Sequence, residues 1–368
     1  MSEPRTVRSL GVKGPGETYF FSYEEPPLAD GCFRVDTLYT GLSAGTELTF
    51  FKGSNPYLHA RWDEQLGVFI PGEPGLRFPI PFIGYMEVGR VGESRTAAVA
   101  EGEVVAMTYG HKTGHTAHPA HDFFVPLPAA IPPVLGIYAA QMGPICANGL
   151  LHAAAEIMGP MVHHLSDGVR GRHVLVTGGG VVGLLTGVFA RYHGAADVVV
   201  ADATPARLQV AQTLGLGTAD TTTQDVAYWC KERWHHGHHD CGADVVFQCR
   251  GQVASLQLAL RCLRPQGAVI DLAFYQGGAS DLRLGEEFHH NGLAIHCAQI
   301  GRVPRGLADR WNRRRLAAEA IELLQVYGPL LRQHLITDIV PLEEASALFA
   351  DLAARRRHVL QAVFEVAA

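Results

Sequence analysis

Residues 173–202 run HVLVTGGGVVGLLTGVFARYHGAADVVVAD. An apolar run, Val174-Leu175-Val176-Thr177, leads into Gly178-Gly179-Gly180-Val181-Val182-Gly183. The segment that follows predicts a helix to about His193. A second apolar run, Val198-Val199-Val200, then passes through Ala201 to Asp202. Strand, glycine turn, helix, strand and acid in one compact unit commit the chain to a parallel sheet with covered faces. The glycines have separate physical jobs. Gly178 permits the tight turn, Gly180 leaves the backbone bare for a phosphate to approach, and Gly183 lets the helix lie close on the strand. The helix start offers free N–H groups and the positive end of its dipole. Asp202 stands 19 residues after Gly183, where a carboxylate can accept bonds from ribose hydroxyls. Gly178, Gly180, Val182, Gly183 and Asp202 are therefore expected to bind a dinucleotide. Residues 174–190 carry no charge, but five glycines among those 17 residues argue against a membrane span, which needs about 20 mostly apolar residues.

The rest of the chain frames that unit. At 368 residues about two domains are expected. Residues 7–23, 31–42 and 102–109 read as strands of a β-rich region, with Pro and Gly recurring through 53–84. Residues 136–158 read as helix. After Asp202, the segment PARLQVAQTLG reads as helix, 243–247 as strand, 253–263 as helix and 268–270 as strand. From about 302 the chain is helical and rich in Arg, and its last 31 residues return to strand, helix and strand. A dinucleotide domain over 149–301 then leaves 1–148 and 302–368 to build one discontinuous second domain.

Composition narrows the function. Hydrophobic residues make up 47% and charged residues 18%, with a net charge of −6. No basic run predicts nucleic-acid binding, and the N-terminal MSEPRTVRSLGVKGPGE has no apolar core of a secretory signal. The seven cysteines (32, 146, 230, 241, 249, 262, 297) are odd in number, with no C-x-x-C pair, which predicts reduced thiols and a cytoplasmic protein without nucleic-acid or membrane partners. Two histidine groups, 111/115/118/121 and 235/236/238/239, read as solvated loop residues, the second able to take up metal adventitiously. His111 stands apart because it follows the strand 102–109 and is a candidate to face a cleft.

Several segments resemble the medium-chain dehydrogenase/reductase superfamily of alcohol and threonine dehydrogenase relatives. Gly41-Leu42-Ser43-Ala44-Gly45-Thr46-Glu47 is similar to its G-[IV]-C-G-T-D segment with one extra residue. Gly84-Tyr85-Met86-Glu87-Val88-Gly89 is similar to G-H-E-x-x-G, and Gly102-Glu103-Val104-Val105 to G-D-x-V. Asp244-Val245-Val246-Phe247-Gln248-Cys249-Arg250-Gly251 and the pair His334–Thr337 with Pro341–Ala345 are similar to later family motifs. The resemblance covers nearly the whole chain and implies a Rossmann doubly wound parallel sheet plus a discontinuous, β-rich GroES-like catalytic domain. It also implies a nicotinamide cofactor, a small-molecule substrate and a homodimer joined near 295–301. Within the superfamily, the Ser-Ala-Gly-Thr-Glu and Gly-Tyr pattern is similar to a subgroup near the bacteriochlorophyllide side-chain hydroxyethyl dehydrogenases.

The departures matter as much. Where zinc-dependent members place Cys, His and Glu, this chain has Ser43 or Ala44, Tyr85 and Met86; Cys146 alone matches a ligand position. Zn²⁺ takes N, S⁻ or O⁻ donors, so no zinc is expected. The resemblance makes Thr46 the proton-relay hydroxyl, Tyr85 a phenol placed where a metal ligand would be, and Glu47 a carboxylate near the same shell; Glu87 and Lys52 read as structural. Asp202 favours NAD(H) over NADP(H), whose 2′-phosphate it would repel, and Arg207 is expected beside the adenosine. The expected activity is interconversion of a secondary alcohol of polyol, cyclitol or sugar-like kind and its ketone. A zinc-free quinone or enoyl reductase and a non-catalytic NAD(H)-binding protein are the alternatives.

Overall fold

The computed structural model describes residues 3–367. It divides into two compact units, Met1–Gln141 with Ile336–Ala368, and Met142–Leu335.

The second unit is built on six parallel strands in the order Gly217–Asp220, Asp197–Asp202, His173–Thr177, Ala243–Gln248, Leu263–Asp271, Ala294–Cys297. Val174, Leu175, Val176, Val199, Val200, Val246, Phe247, Val269 and Ile270 are fully buried, as expected of strands covered on both faces. Two strands step outward from His173–Thr177 on one side and three on the other. The switch in direction between His173–Thr177 and Ala243–Gln248 opens a crevice at the carboxyl ends of the strands. Gly178 lies at that end, and the helix Val181–Tyr192 leaves from it.

The first unit holds a seven-stranded sheet. Its path is Ile336–Pro341, Gln361–Glu365, Phe33–Gly41, Glu87–Ser94, Val104–Met107 and Val125–Pro126, with Gly114–Ala117 also paired to Phe33–Gly41. A hairpin of Arg5–Gly14 and Glu17–Glu25 stands beside it. Leu10, Leu42, Phe51, Phe349 and Phe364 form one core, which ties the C-terminal return to the N-terminal strands.

Three readings of the sequence are corrected. The unit boundaries fall at 141/142 and 335/336, not at 148/149 and 301/302. The helix Arg313–His334 packs on the helix Met142–Met158 in the second unit, and Arg315 donates to the His163 carbonyl at 2.6 Å. The stretch 136–158 is not one helix: a 3₁₀ turn at Pro133–Tyr138 precedes Met142–Met158. The first histidine group is not all loop, since His115 sits in the strand Gly114–Ala117. There Gly114 and Pro119 bound the strand rather than prevent it. Among the described residues no helix is long and apolar enough to cross a membrane.

Candidate active site and dinucleotide turn

In the first unit the helix Ala44–Phe51 begins at Ser43. A serine there ordinarily caps the helix with its hydroxyl, but Ser43 makes no such bond. Its N–H is taken instead by Glu47, which accepts it at 2.7 Å through Oε1. The Ser43 hydroxyl meets the Tyr85 phenol in a short hydrogen bond. Tyr85 also donates to Thr46 Oγ1 at 3.3 Å. Thr46, Tyr85 and Glu47 are thus brought together around Ser43. The Tyr85 phenol does not become a base. Burial pushes its pKa up, against the lowering effect of the Ser43 and Thr46 hydroxyls, so it stands as a neutral proton donor.

Beneath this group lies a chain of buried polar side chains that sequence reading missed. Glu47 Oε2 meets His111 Nε2 at 2.6 Å, and His111 Nδ1 meets Thr40 Oγ1 at 2.5 Å. Thr40 also donates to Glu87 Oε1 at 3.1 Å, and the Tyr109 N–H donates to Glu87 Oε2 at 2.7 Å. Thr40, Glu87 and His111 have no solvent exposure and Glu47 has 1%. His111 therefore lies in the interior of its unit rather than on a cleft. Gly84, at φ +98°, allows this: a Cβ there would come within 2.9 Å of the His111 ring. Burial pushes the His111 pKa down, but the Glu47 charge and hydrogen bond outweigh it and leave it raised. Glu87 is also raised, by burial, with the His111 charge opposing. With Thr40 donating to an ionised Glu87 and Glu47 accepting from Nε2, both His111 nitrogens donate, the imidazolium form that the raised pKa favours.

In the second unit, the glycine turn fits a dinucleotide. Gly178 has φ +102°, which favours glycine. A Cβ on Gly183 would lie 1.8 Å from the Gly178 carbonyl oxygen, whereas a Cβ on Gly180 would meet nothing within 4 Å. Gly180 starts the helix Val181–Tyr192 with no side-chain cap, leaving first-turn N–H groups free for an anion. Asp202 is buried and already engaged: it accepts from the Gly179 N–H at 2.7 Å and the Thr204 N–H at 2.8 Å, with Arg207 Nη1 at 3.8 Å. It closes the turn onto its strand while keeping lone pairs for a ribose hydroxyl. Val182 accepts from the Cys146 thiol at 3.5 Å. Burial pushes that thiol up to about 12. The backbone of Arg250 also borders the turn, since a Cβ on Gly178 would come within 2.9 Å of the Arg250 Cβ; this neighbour had no signal in sequence spacing.

A parallel-sheet unit with a phosphate-ready turn, joined in sequence to a β-rich unit with a buried polar site, defines a dehydrogenase-type architecture. Residues 181–305 match the family described as zinc-binding dehydrogenase. L-threonine 3-dehydrogenase of Symbiobacterium thermophilum is 28% identical over 54% of this chain and 52% of its own. Human sorbitol dehydrogenase is 30% identical over 30% of this chain and 34% of its own. The chain thus spans about half or less of these curated relatives' length. Among solved structures, an alcohol dehydrogenase of Thermotoga maritima superposes with a TM-score of 0.74 at 16% identity, covering 99% of this chain and 100% of that one. Galactitol-1-phosphate dehydrogenase of Escherichia coli superposes at 0.73 and 16% identity, covering 97% and 99%. Residues 181–305 are thus similar to the zinc-binding dehydrogenase family, and the fold is that of the solved alcohol dehydrogenases.

Proposed function

We propose that this chain is an NAD-dependent oxidoreductase that interconverts a secondary alcohol of polyol-like kind and its ketone without a catalytic zinc. The observation that carries this reading is the hydroxyl group of three, Ser43, Tyr85 and Thr46, at the positions where the family's motifs put ligand and relay residues. Relatives and neighbours named as sorbitol, L-idonate and galactitol-1-phosphate dehydrogenases support the substrate class. Neutral hydroxyls and a phenol held protonated are a poor donor set for Zn²⁺, which takes imidazole, thiolate or carboxylate. NAD(H), when bound, carries the hydride. The protein's own task is the proton at oxygen. In the reducing direction Tyr85 donates to the oxygen on which negative charge develops. Thr46, partly exposed, connects the phenol to solvent, and Glu47 holds Ser43 in place through its N–H. The outer edge of Ala294–Cys297, the last strand of the parallel sheet, suits pairing with a second copy.

Tyr85→Phe is expected to lower kcat on a panel of polyols by about a hundredfold or more, with the dissociation constant for NADH unchanged. Turnover equal to the wild type would remove the phenol from the mechanism. Wild-type binding of NADH with no turnover on any alcohol or ketone would turn the reading toward a non-catalytic dinucleotide binder.

Asp202 sets the cofactor preference in this reading. Asp202→Ala is expected to narrow the NADH-to-NADPH affinity ratio by about tenfold, the equivalent of about 1.4 kcal/mol, as measured by nucleotide fluorescence titration. Because the variant also loses the bond to the Gly179 N–H, the ratio and not either affinity is the readout. An unchanged ratio would leave the choice to other residues.

A further inference from the structure

At the end of the parallel sheet opposite the glycine turn, His173 and Asp244 begin adjacent strands, and His236 reaches them from the hairpin His235–Gly237/Asp240–Cys241. We propose that His173, His236 and Asp244 form a binding site for one transition-metal dication of zinc's chemistry. Their ligand atoms all lie within 4.8 Å of one another. Among the described residues this is the one group of three or more His, Cys, Asp or Glu side chains so arranged.

Three observations point to a ligand. First, His173 Nδ1 is buried and has no hydrogen-bond partner. Native proteins seldom leave such an atom unsatisfied without an ion or water to meet it. It faces Asp244 Oδ2 at 4.0 Å, and its ring is stacked on Trp234 with centroids 5.5 Å apart and planes 6° apart, so it is held in place. Second, His236 Nε2–H donates to the Gly242 carbonyl at 3.0 Å. That bond leaves the Nδ1 lone pair facing Asp244 Oδ1 at 3.9 Å, the second-shell arrangement by which proteins present a histidine to a metal. Third, a positive group already occupies the space between two of the three ligands. Arg264 Nη1 donates to Asp244 Oδ1 at 2.6 Å and to His236 Nδ1 at 3.1 Å. Arg264 also holds Asp240 through Nε at 2.8 Å and through Nη2. The guanidinium can therefore give up Nη1's place and stay paired. With bonds of about 2.0–2.1 Å to nitrogen and oxygen, a tetrahedral ion sets its ligand atoms about 3.3 Å apart, so the three, now within 4.8 Å of one another, close by roughly 1.5 Å at most through side-chain adjustment. Imidazole nitrogens with one carboxylate select zinc, nickel, cobalt or copper over magnesium or calcium.

The experiment is Co²⁺ titration of tag-free, metal-stripped full-length protein, followed by visible absorption and equilibrium dialysis, with Zn²⁺ competition. Saturable binding of one equivalent is expected, displaced by Zn²⁺. His173→Gln and His236→Gln should each weaken it by at least about tenfold, and Arg264→Gln should tighten it by a similar factor. Circular dichroism checks that each variant folds, and the variant His238→Gln/His239→Gln, altered only in the hairpin's neighbouring histidines, should bind as the wild type does. Absence of saturable binding overturns the proposal. So does binding that survives both His173→Gln and His236→Gln but falls in His238→Gln/His239→Gln, which would mean an adventitious ion only. Neither result touches the proposed activity: Ser43, Thr46 and Tyr85 lie in the other unit, and Asp202 and the glycine turn stand at the opposite end of the sheet.

Discussion

Gly183→Ala is expected to abolish NADH binding and to lower the melting temperature by roughly 6–12 °C. The Cβ it adds would stand 1.8 Å from the Gly178 carbonyl oxygen and 3.2 Å from Val176 Cγ1. The nearest obstacle is backbone, so no side-chain rotation relieves it. The helix Val181–Tyr192 must lift off the strand His173–Thr177, and Leu184, Leu185, Val188 and Phe189, all buried, move with it. Overpacking of this kind costs about 3 kcal/mol or more, which the size of the unit converts to the shift given above. Gly180→Ala is the informative contrast. Gly180 has an extended backbone (φ −81°, ψ −175°) that any residue adopts, and its Cβ would meet nothing. The melting temperature should hold within about 2 °C, since substitutions away from packed features stay within about 0.5 kcal/mol. NADH affinity should nevertheless fall about tenfold, a loss of about 1.4 kcal/mol, because the new methyl takes the space through which a pyrophosphate reaches the turn. Thermal melts and NADH fluorescence titration on the two variants separate fold from binding. Wild-type affinity in Gly180→Ala would place the phosphates elsewhere.

The contrast between these glycines also shows what was readable in advance. The unit 173–202 was legible because each demand of the turn is met by a local residue: positive φ at Gly178, no room at Gly183, a carboxylate at Asp202. Thr46 and Tyr85 could be paired because family spacing relates them across 39 positions. Spacing could not decide between Ser43 and Ala44. That depends on which residue starts the helix Ala44–Phe51 and on which hydroxyl meets Tyr85, both of them three-dimensional facts. The chain Glu47–His111–Thr40–Glu87 was invisible for a related reason. Its members come from a helix, two strands and a loop up to 71 positions apart, and no one-dimensional pattern marks them. The place of His111 after the strand 102–109 suggested a cleft, whereas its ring is buried in the interior of its unit. Glu87 was read as structural, and its burial gives that reading a specific content. The second boundary was misplaced because the helix Arg313–His334 has no motif of its own, and only its packing on Met142–Met158 assigns it. Tyr85 shows the limit on the chemical side. Its position marked a phenol in place of a metal ligand but not its protonation, which burial holds on the neutral side.

His111→Ala is expected to destabilise the protein by about 3–5 kcal/mol at pH 6, the range for removing one partner of a buried ion pair. The loss arises because Glu47 and Glu87 stay buried without their shared counter-charge, not because a cavity forms. The pH dependence identifies the cause. His111 has a folded pKa raised above its ordinary value of 6.5. The native state therefore binds a proton more tightly than the unfolded chain does. Its contribution is fully present below the unfolded pKa and is lost as pH rises through the folded one, so the gap between wild type and variant narrows on the alkaline side. On the acid side the gap narrows for a different reason. In the variant Glu87, raised by burial and no longer opposed by the His111 charge, takes up a proton at a higher pH than an exposed carboxylate does, and protonation relieves the buried charge. The difference in unfolding free energy, measured by urea melts from pH 5 to 9, should thus pass through a maximum near pH 6. A large gap independent of pH would mean that His111 is neutral in the native state and acts only by packing, its ring lying edge-on to Phe364 with centroids 5.1 Å apart. A gap below about 1 kcal/mol at every pH would mean that Glu47 and Glu87 do not share a charge with it at all.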